Sequence, residues 1–280
     1  MNTINWDWAT DIRIIDRTAE GTTSEIVRPF AIDELLCQQV AAEQLPICHL
    51  WRHPRAFVMG TKDSRLPGVS QAIDTLEEAG YEVLVRNSGG AAVPLDEGVI
   101  NISLILPLNT PYAYGFRNDF ELMYMLIQEA LAHLGFNVQR GEVHGSYCPG
   151  DYDLHLEGYK FCGIAQRRKV NAFIIQAFVN VEGSGEGRAS LVKSFYEQAG
   201  IGATAHADYP VVQPDRMISL QQYKPNIRAT DFINSIKQTL QSHQSLKYAK
   251  AESDSRIALP DSALIDRMCE RLLNRYPLPR

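Results

Sequence analysis

The sequence predicts an α+β fold, with mixed β-sheets flanked by helices. Apolar runs of strand character arrive in clusters, and helical stripes fall between the clusters rather than alternating strictly with single strands. Hydrophobic residues make up 45% of the 280, enough to bury a substantial core. No internal repeat, low-complexity segment or clear linker interrupts the chain. Residues 1–280 therefore read as one domain, with helices near 229–280 as an appendage.

Ile32, Leu35, Leu36 and Val40 recur at helical spacing and predict a helix near 31–44. ICHLWRHPRAFVMG (47–60) reads as two short strands broken at Pro54. Ser70 is expected to cap a helix with Ile73, Leu76 and Ala79 on one face and Gly80 at its end. YEVLVRNSGGAAV is then a strand entering a glycine turn, and VINISLILP a strand ended by Pro107. Leu122, Met123, Leu126, Ile127, Ala130, Leu131 and Leu134 form a helix stripe, with Gly135 as the natural C′ residue. FNVQR (136–140) and NAFIIQAFVNVEG (171–183) are strands, and GSGEG (183–187) is a loop. Leu191, Val192, Phe195 and Ala199 mark a helix ending at Gly200. Residues 210–225 read as irregular. Two polar helices, near 229–243 and 261–275, complete the chain.

A formal charge of −6 with no basic block argues against nucleic-acid or anionic-membrane binding. Arg167, Arg168 and Lys169 are a local basic patch suited to an acidic protein partner. No apolar run reaches the length of a membrane span, and the N-terminus lacks an apolar signal core. The five cysteines are odd in number and widely spread, without a CxxC pair. They fit reduced thiols in the cytoplasm rather than a disulfide framework or a zinc site, so no metal is expected.

The chemistry concentrates in HGSYCPGDYDLHLEGYKFCGIAQRR (144–168). Two alternating runs around Glu157-Gly158 read as a β-hairpin. A two-residue loop pairs Leu156 with Tyr159, His155 with Lys160, Leu154 with Phe161 and Asp153 with Cys162. Asp153, His155, Lys160 and Cys162 then share the polar face. A lysine there more often belongs to a solvated surface, and Asp153 and His155 are expected to be solvated. The small residues Gly163 and Ala165 just beyond Lys160 suit close approach by a ligand. Of the two thiols, mid-strand Cys162 fits a small buried hydrophobe. Cys148 lies in a turn-rich loop stiffened by Pro149, where reactive groups are commonly held. His144 and His155 rank below Lys160 as its partner. In RNSGGAAV (86–93), paired glycines after a strand admit a ligand close to the backbone or simply form a tight hairpin. The spacing matches neither a P-loop nor GxGxxG.

RNSGGAAVPLDEGVINISLILP (86–107) resembles the RRxSGGGAVxHDxGxLNxS signature of lipoate–protein ligases and octanoyltransferases, and GYKFCGIAQRR (158–168) resembles their GxKxxGxAQxR signature. The order is conserved, and the similarity covers most of residues 25–205. The resemblance implies the biotin/lipoate protein ligase catalytic fold. Leu95 stands where ATP-using ligases have a histidine, and Ala172–Phe178 replaces their HGT-like segment. Both departures point away from adenylation. SYCPGDYDL resembles the branch that moves an octanoyl or lipoyl group between proteins. That branch implies Cys148 as nucleophile and Lys160 as proton-handling partner. It implies glycine cleavage H protein as acyl donor and the E2 lipoyl domains of 2-oxoacid dehydrogenases as acceptor. Exchanging one lysine amide for another is nearly isoenergetic, so neither ATP nor another cofactor is expected. Arg86, Ser88, Gly89, Gly90, Ala91, Gly163 and Ala165 are the expected substrate-binding residues, and Gly89 to Ala92 the expected lining of the acyl tunnel. The alternatives are direct transfer from octanoyl-acyl carrier protein, an ATP-dependent ligase, and a non-catalytic lipoyl-domain binder.

Overall fold

Strands buried on both faces read as nearly unbroken apolar runs, and two such runs form the centre of the molecule. In the computed structural model, which describes residues 5–20, 25–108, 116–203, 209–245 and 259–280, Val99–Pro107 and Ala172–Asn180 pair antiparallel along their whole length. The element order is β1 (Arg13–Asp16), α1 (Val27–Glu43), β2 (Ile47–Trp51), β3 (Arg55–Met59), α2 (Val69–Glu78), β4 (Glu82–Val85), β5 (Val93–Asp96), β6 (Val99–Pro107), α3 (Phe116–His133), β7 (Gln139–Arg140), β8 (Leu154–Leu156), β9 (Tyr159–Arg168), β10 (Ala172–Asn180), α4 (Gly185–Ala199), α5 (Leu220–Tyr223), α6 (Ala229–His243) and α7 (Ser262–Arg275). A seven-stranded sheet runs β1-β2-β6-β10-β9-β8-β7, and a three-stranded sheet runs β4-β3-β5. Both are mixed: β1 pairs parallel with β2 and β4 parallel with β3, while the remaining pairs are antiparallel.

One face of the large sheet packs on α3 and α6, burying Leu122, Leu126, Phe232 and Ile236 against Ile102, Leu104 and Ile175. The other face meets the small sheet, α1, α2 and α4. Helix α7 lies along α1 through Ile265, Met268, Cys269 and Leu272. The two final helices are therefore amphipathic, each with a buried stripe, rather than polar throughout. Among the described residues no helix is long and apolar enough to cross a membrane.

The helix stripes end where the sequence predicts: Gly80 and Gly135 take positive φ just beyond α2 and α3. Ser70 differs from expectation, because Gly68 occupies the N-cap position and Ser70 lies inside the first turn of α2. Helix α1 starts earlier than its stripe suggests, with Pro29 in its first turn, where a missing N–H costs nothing. The stretch 210–225 contains the short helix α5, closed by a reciprocal capping box between Ser219 and Gln222. Residues 1–4, within the expected absence of a signal core, and 246–258, within the C-terminal appendage, lie outside the described residues.

The glycine turn is not a hairpin. β4 and β5 both pair with β3 and not with each other, so residues 86–92 cross over the end of β3. Tyr196 of α4 pins this crossing: its hydroxyl accepts from the Ala92 N–H at 3.1 Å and donates to Asp63 at 2.9 Å. Burial pushes the Asp63 carboxyl and the Tyr196 hydroxyl upward from their ordinary pKa values.

Candidate active site

Cys148 takes φ +47°, a left-handed conformation uncommon for a side chain with a Cβ and frequent at functional sites. It brings the half-buried thiol against the glycine crossing. The Ala91 N–H donates to Cys148 Sγ at 3.3 Å and Arg86 Nη2 at 3.4 Å. Arg86 is held in turn by donating to the Ala91 carbonyl at 2.7 Å. Gly90, at φ +95°, is needed here, because a Cβ would stand 2.4 Å from Arg86 Nη2 and 2.9 Å from Sγ. The sulfur thus faces a backbone donor and a guanidinium, which stabilise negative charge on it.

Lys160 is fully buried, which overturns its expected place on a solvated face. Its Nζ donates to the Tyr147 carbonyl at 2.8 Å, to the Cys148 carbonyl at 2.6 Å and to Asp153 Oδ1 at 2.8 Å. Those three acceptors match the three N–H bonds of an ammonium. Lys160 therefore holds the backbone of the nucleophile loop, while the direct partners of the sulfur are Arg86 and Ala91. Asp153, expected to be solvated, is buried and is the countercharge. Burial raises its carboxyl pKa, and Lys160 opposes that rise. The hairpin begins as predicted, with Leu156 opposite Tyr159 and His155 opposite Lys160. An irregularity at Leu154/His155 then pairs Leu154 with Cys162. This shift separates Asp153 from Cys162 and turns it toward the loop. Buried Tyr147, stacked on Phe178 at 5.5 Å and hydrogen-bonded to Asn180, fixes the loop from the other side.

Beside the thiol lies a narrow cavity that opens to solvent. It sits between the two sheets. Phe30, Trp51, Val58, Val93, Leu95 and Phe178 supply its apolar walls, and Arg86 and Cys148 also line it. Gly163 and Ala165 line it too. Gly163 is required because a Cβ there would meet the Phe178 ring at 2.6 Å. Its polar lining comes from Asn101, Ser103 and Gln176, which sequence reading did not single out. Ser103 Oγ and Gln176 Nε2 donate to Asp33 Oδ2 at 2.6 and 2.9 Å, and His49 Nδ1 donates to Asp33 Oδ1 at 2.8 Å.

Ser88, Gly89, Gly90 and Ala91 do not line this cavity. Gly89 is exposed and would meet nothing with a Cβ. Ser88 is buried with its hydroxyl unpartnered, while the Ala91 N–H meets the sulfur itself and Gly90 leaves the space beside it open. The expected tunnel of small residues is instead a chamber of aromatic and branched side chains. The candidate bases are elsewhere: His144 is exposed and paired with Glu142, and His155 Nδ1 accepts from the Gly158 N–H. Cys162 is fully buried, and burial raises its thiol pKa well above the usual value. It packs as the expected small hydrophobe.

The lipoyl protein ligase A/B catalytic domain model matches residues 25–241. The Octanoyl-[GcvH]:protein N-octanoyltransferase of Geobacillus kaustophilus is 40% identical over 241 residues, 85% of each chain. The Lipoyl-[GcvH]:protein N-lipoyltransferase of Listeria monocytogenes is 35% identical over 76% of this chain and 77% of its own. Among solved structures, lipoate-protein ligase A bound with ATP superposes with a TM-score of 0.65 at 15% identity, covering 94% of this chain and 93% of that one, a likeness of fold. With the family model spanning most of its length, the chain belongs to the lipoyl protein ligase A/B catalytic-domain family, on its acyl-transferring side.

Proposed function

We propose that this acyltransferase moves an octanoyl group from the lysine of glycine cleavage H protein to the lysine of E2 lipoyl domains, through a thioester on Cys148. The observation that carries the reading is the position of the Cys148 sulfur, at the mouth of an apolar chamber and against two hydrogen-bond donors. A thiolate there attacks the amide carbonyl carbon. As the C–S bond forms, negative charge moves to the carbonyl oxygen, and Arg86 and the Ala91 N–H are placed to receive it. The C–N bond then breaks, and the departing lysine amine takes a proton from Lys160, which gives up its hydrogen bond to the Cys148 carbonyl to deliver it. In the second half the acceptor lysine attacks the thioester, returns a proton to Lys160, and the sulfur leaves. Atoms balance without ATP. Burying about seven carbons in the chamber at roughly 0.8 kcal/mol each contributes on the order of 5 kcal/mol before ordering costs. Arg86, Gly163 and Ala165 shape the chamber, while the crossing of Ser88, Gly89, Gly90 and Ala91 carries the Ala91 N–H to the sulfur. We read the whole chain as one catalytic unit with α6 and α7 as an appendage, and place it in the cytoplasm, in keeping with its five free thiols.

The test is intact-protein and peptide mass spectrometry after mixing the enzyme with octanoyl-H protein without ATP, with lipoyl-H protein in parallel. The expected result is an octanoyl adduct on the Cys148 peptide that moves to added apo-E2 lipoyl domain. C148A is expected to lose transfer by at least ~10³-fold. An adduct formed only from octanoyl-acyl carrier protein reassigns the donor. Transfer that survives C148A, or that needs ATP, sinks the thioester route.

A further inference from the structure

We propose that a basic cleft between the end of β9 and helix α7 is the dock for an acidic face of the protein domain that carries the acylated lysine. This rests on the transfer reading above. Arg167 and Lys169 project to one side of β9, where both pair with the buried Glu34 of α1. Arg168, between them, points to the opposite face and pairs with Asp119. The patch anticipated from the sequence is thus split by strand alternation. Arg271 and Arg275 replace Arg168, lining one cleft with Glu34, Arg167 and Lys169. Together with Arg267 they form an exposed stripe at four-residue intervals along α7, one face of a helix. Among the described residues none of these three arginines has a carboxylate within ion-pair distance; the acid Asp266 is taken by Arg28. Glu34 and the neighbouring Glu270 leave a net positive surface in a chain whose formal charge is −6.

The position of this cleft selects its occupant. Asn87 donates to Glu34 at 3.0 Å, and its carbonyl accepts from Arg167 at 3.2 Å. The next residue back is Arg86, which touches the Cys148 sulfur. The cleft is therefore continuous with the rim of the chamber through one residue. A lysine carried on a folded domain reaches Cys148 only if that domain's surface rests against this rim. A surface with this sign of charge draws an acidic one and fixes its orientation. Donor and acceptor carriers use the same dock in turn, because both lysines must reach the same sulfur.

The test uses the full chain with R271E/R275E, both exposed and without ion-pair partners to lose, and R271K/R275K beside it. Unfolding midpoints confirm that each is folded. R271E/R275E is expected to raise KM at least tenfold for both the octanoylated donor and the apo acceptor, and to flatten the fall of kcat/KM with ionic strength that the dock predicts for the parent. R271K/R275K keeps both KM values within about twofold, because a field rather than a bidentate bond does the attracting. Unchanged KM in a charge-reversed enzyme that still transfers overturns the dock alone. A rise for only one carrier overturns the shared dock. A parent enzyme that takes no acyl group from any carrier sinks the transfer reading, and the dock with it.

Discussion

The two faces of the large sheet are built from the same three strands, offset by a single residue. Toward α3 and α6, strands β2, β6 and β10 present Cys48, Leu50, Ile102, Leu104, Phe173, Ile175 and Val179, all buried and none with an oxygen or nitrogen in its side chain. Toward the small sheet one row, Ile47, Ile105 and Ile174, is apolar, and around the chamber the alternate positions are His49, Trp51, Asn101, Ser103, Gln176 and Phe178. These lie in cross-strand rows: His49 opposite Ser103 opposite Gln176, and Trp51 opposite Asn101 opposite Phe178. The first face is a stability surface and the second a chemical one. Asn101 Nδ2 and Trp51 Nε1 are buried donors without partners. Both residues line the chamber. Polar residues inside an otherwise apolar strand mark the side on which the cavity lies.

Substitutions on the two faces should separate these roles. The largest stability effect is expected at Lys160, whose stem runs beside Gly163 and Phe178 on the chamber side. K160M removes the partner of a buried carboxylate and is expected to cost about 3–5 kcal/mol. The loss should depend on pH. Burial already holds the Asp153 carboxyl above its ordinary value, and Lys160 is what opposes this. Without the ammonium the folded-state pKa rises further above the unfolded one. Between those two values the folded chain binds a proton that the unfolded chain does not, so stability falls as pH rises through that window. Urea unfolding should therefore show K160M closest to the parent at acid pH and furthest at neutral pH. A loss that is the same at both would mean that Asp153 does not titrate with the pair. Next is Leu104, fully buried on the apolar face. L104A is expected to cost about 2–5 kcal/mol as a cavity and to leave the rate of Cys148 acylation unchanged. A change in that rate would break the division between the faces.

Much of this was legible in the sequence. The helix stripes and the strands at 99–107 and 172–180 follow from periodicity and turn chemistry, and the family resemblance singled out Cys148 and Lys160, which a hydrogen bond from Lys160 Nζ to the Cys148 carbonyl brings together. The rest depends on contacts distant in sequence. The partners of Lys160 are two carbonyls and Asp153, 7 to 13 residues away across a loop, and only the irregular pairing at Leu154 turns Asp153 inward. The walls of the chamber come from α1 and six different strands, so the small residues beside the glycine turn looked like the natural lining. Asn101, Ser103 and Gln176 passed as ordinary residues in buried strands. Their interruption of apolar runs at alternating positions was a signal available in the sequence.

The sharpest form of the comparison uses neighbouring residues. Ser103 precedes Leu104 in the same strand and is equally buried, but it faces the chamber and donates to Asp33 at 2.6 Å. S103A deletes one oxygen and leaves Asp33 Oδ2 still bonded to Gln176 and Oδ1 to His49. With its other partners in place, the carboxylate is not orphaned, and the stability loss is expected to be only about 1 kcal/mol, the net worth of one hydrogen bond. The effect on chemistry should run the other way. Asp33 orients Gln176, which lines the chamber, so loosening this network alters how the acyl chain seats. S103A is thus expected to lower the rate of Cys148 acylation severalfold, where L104A leaves it alone despite a larger loss of stability. The readouts are the unfolding free energy and the single-turnover acylation rate of the two variants side by side. If the more destabilised variant is also the slower one, rate simply follows stability, and the two faces do not divide the work.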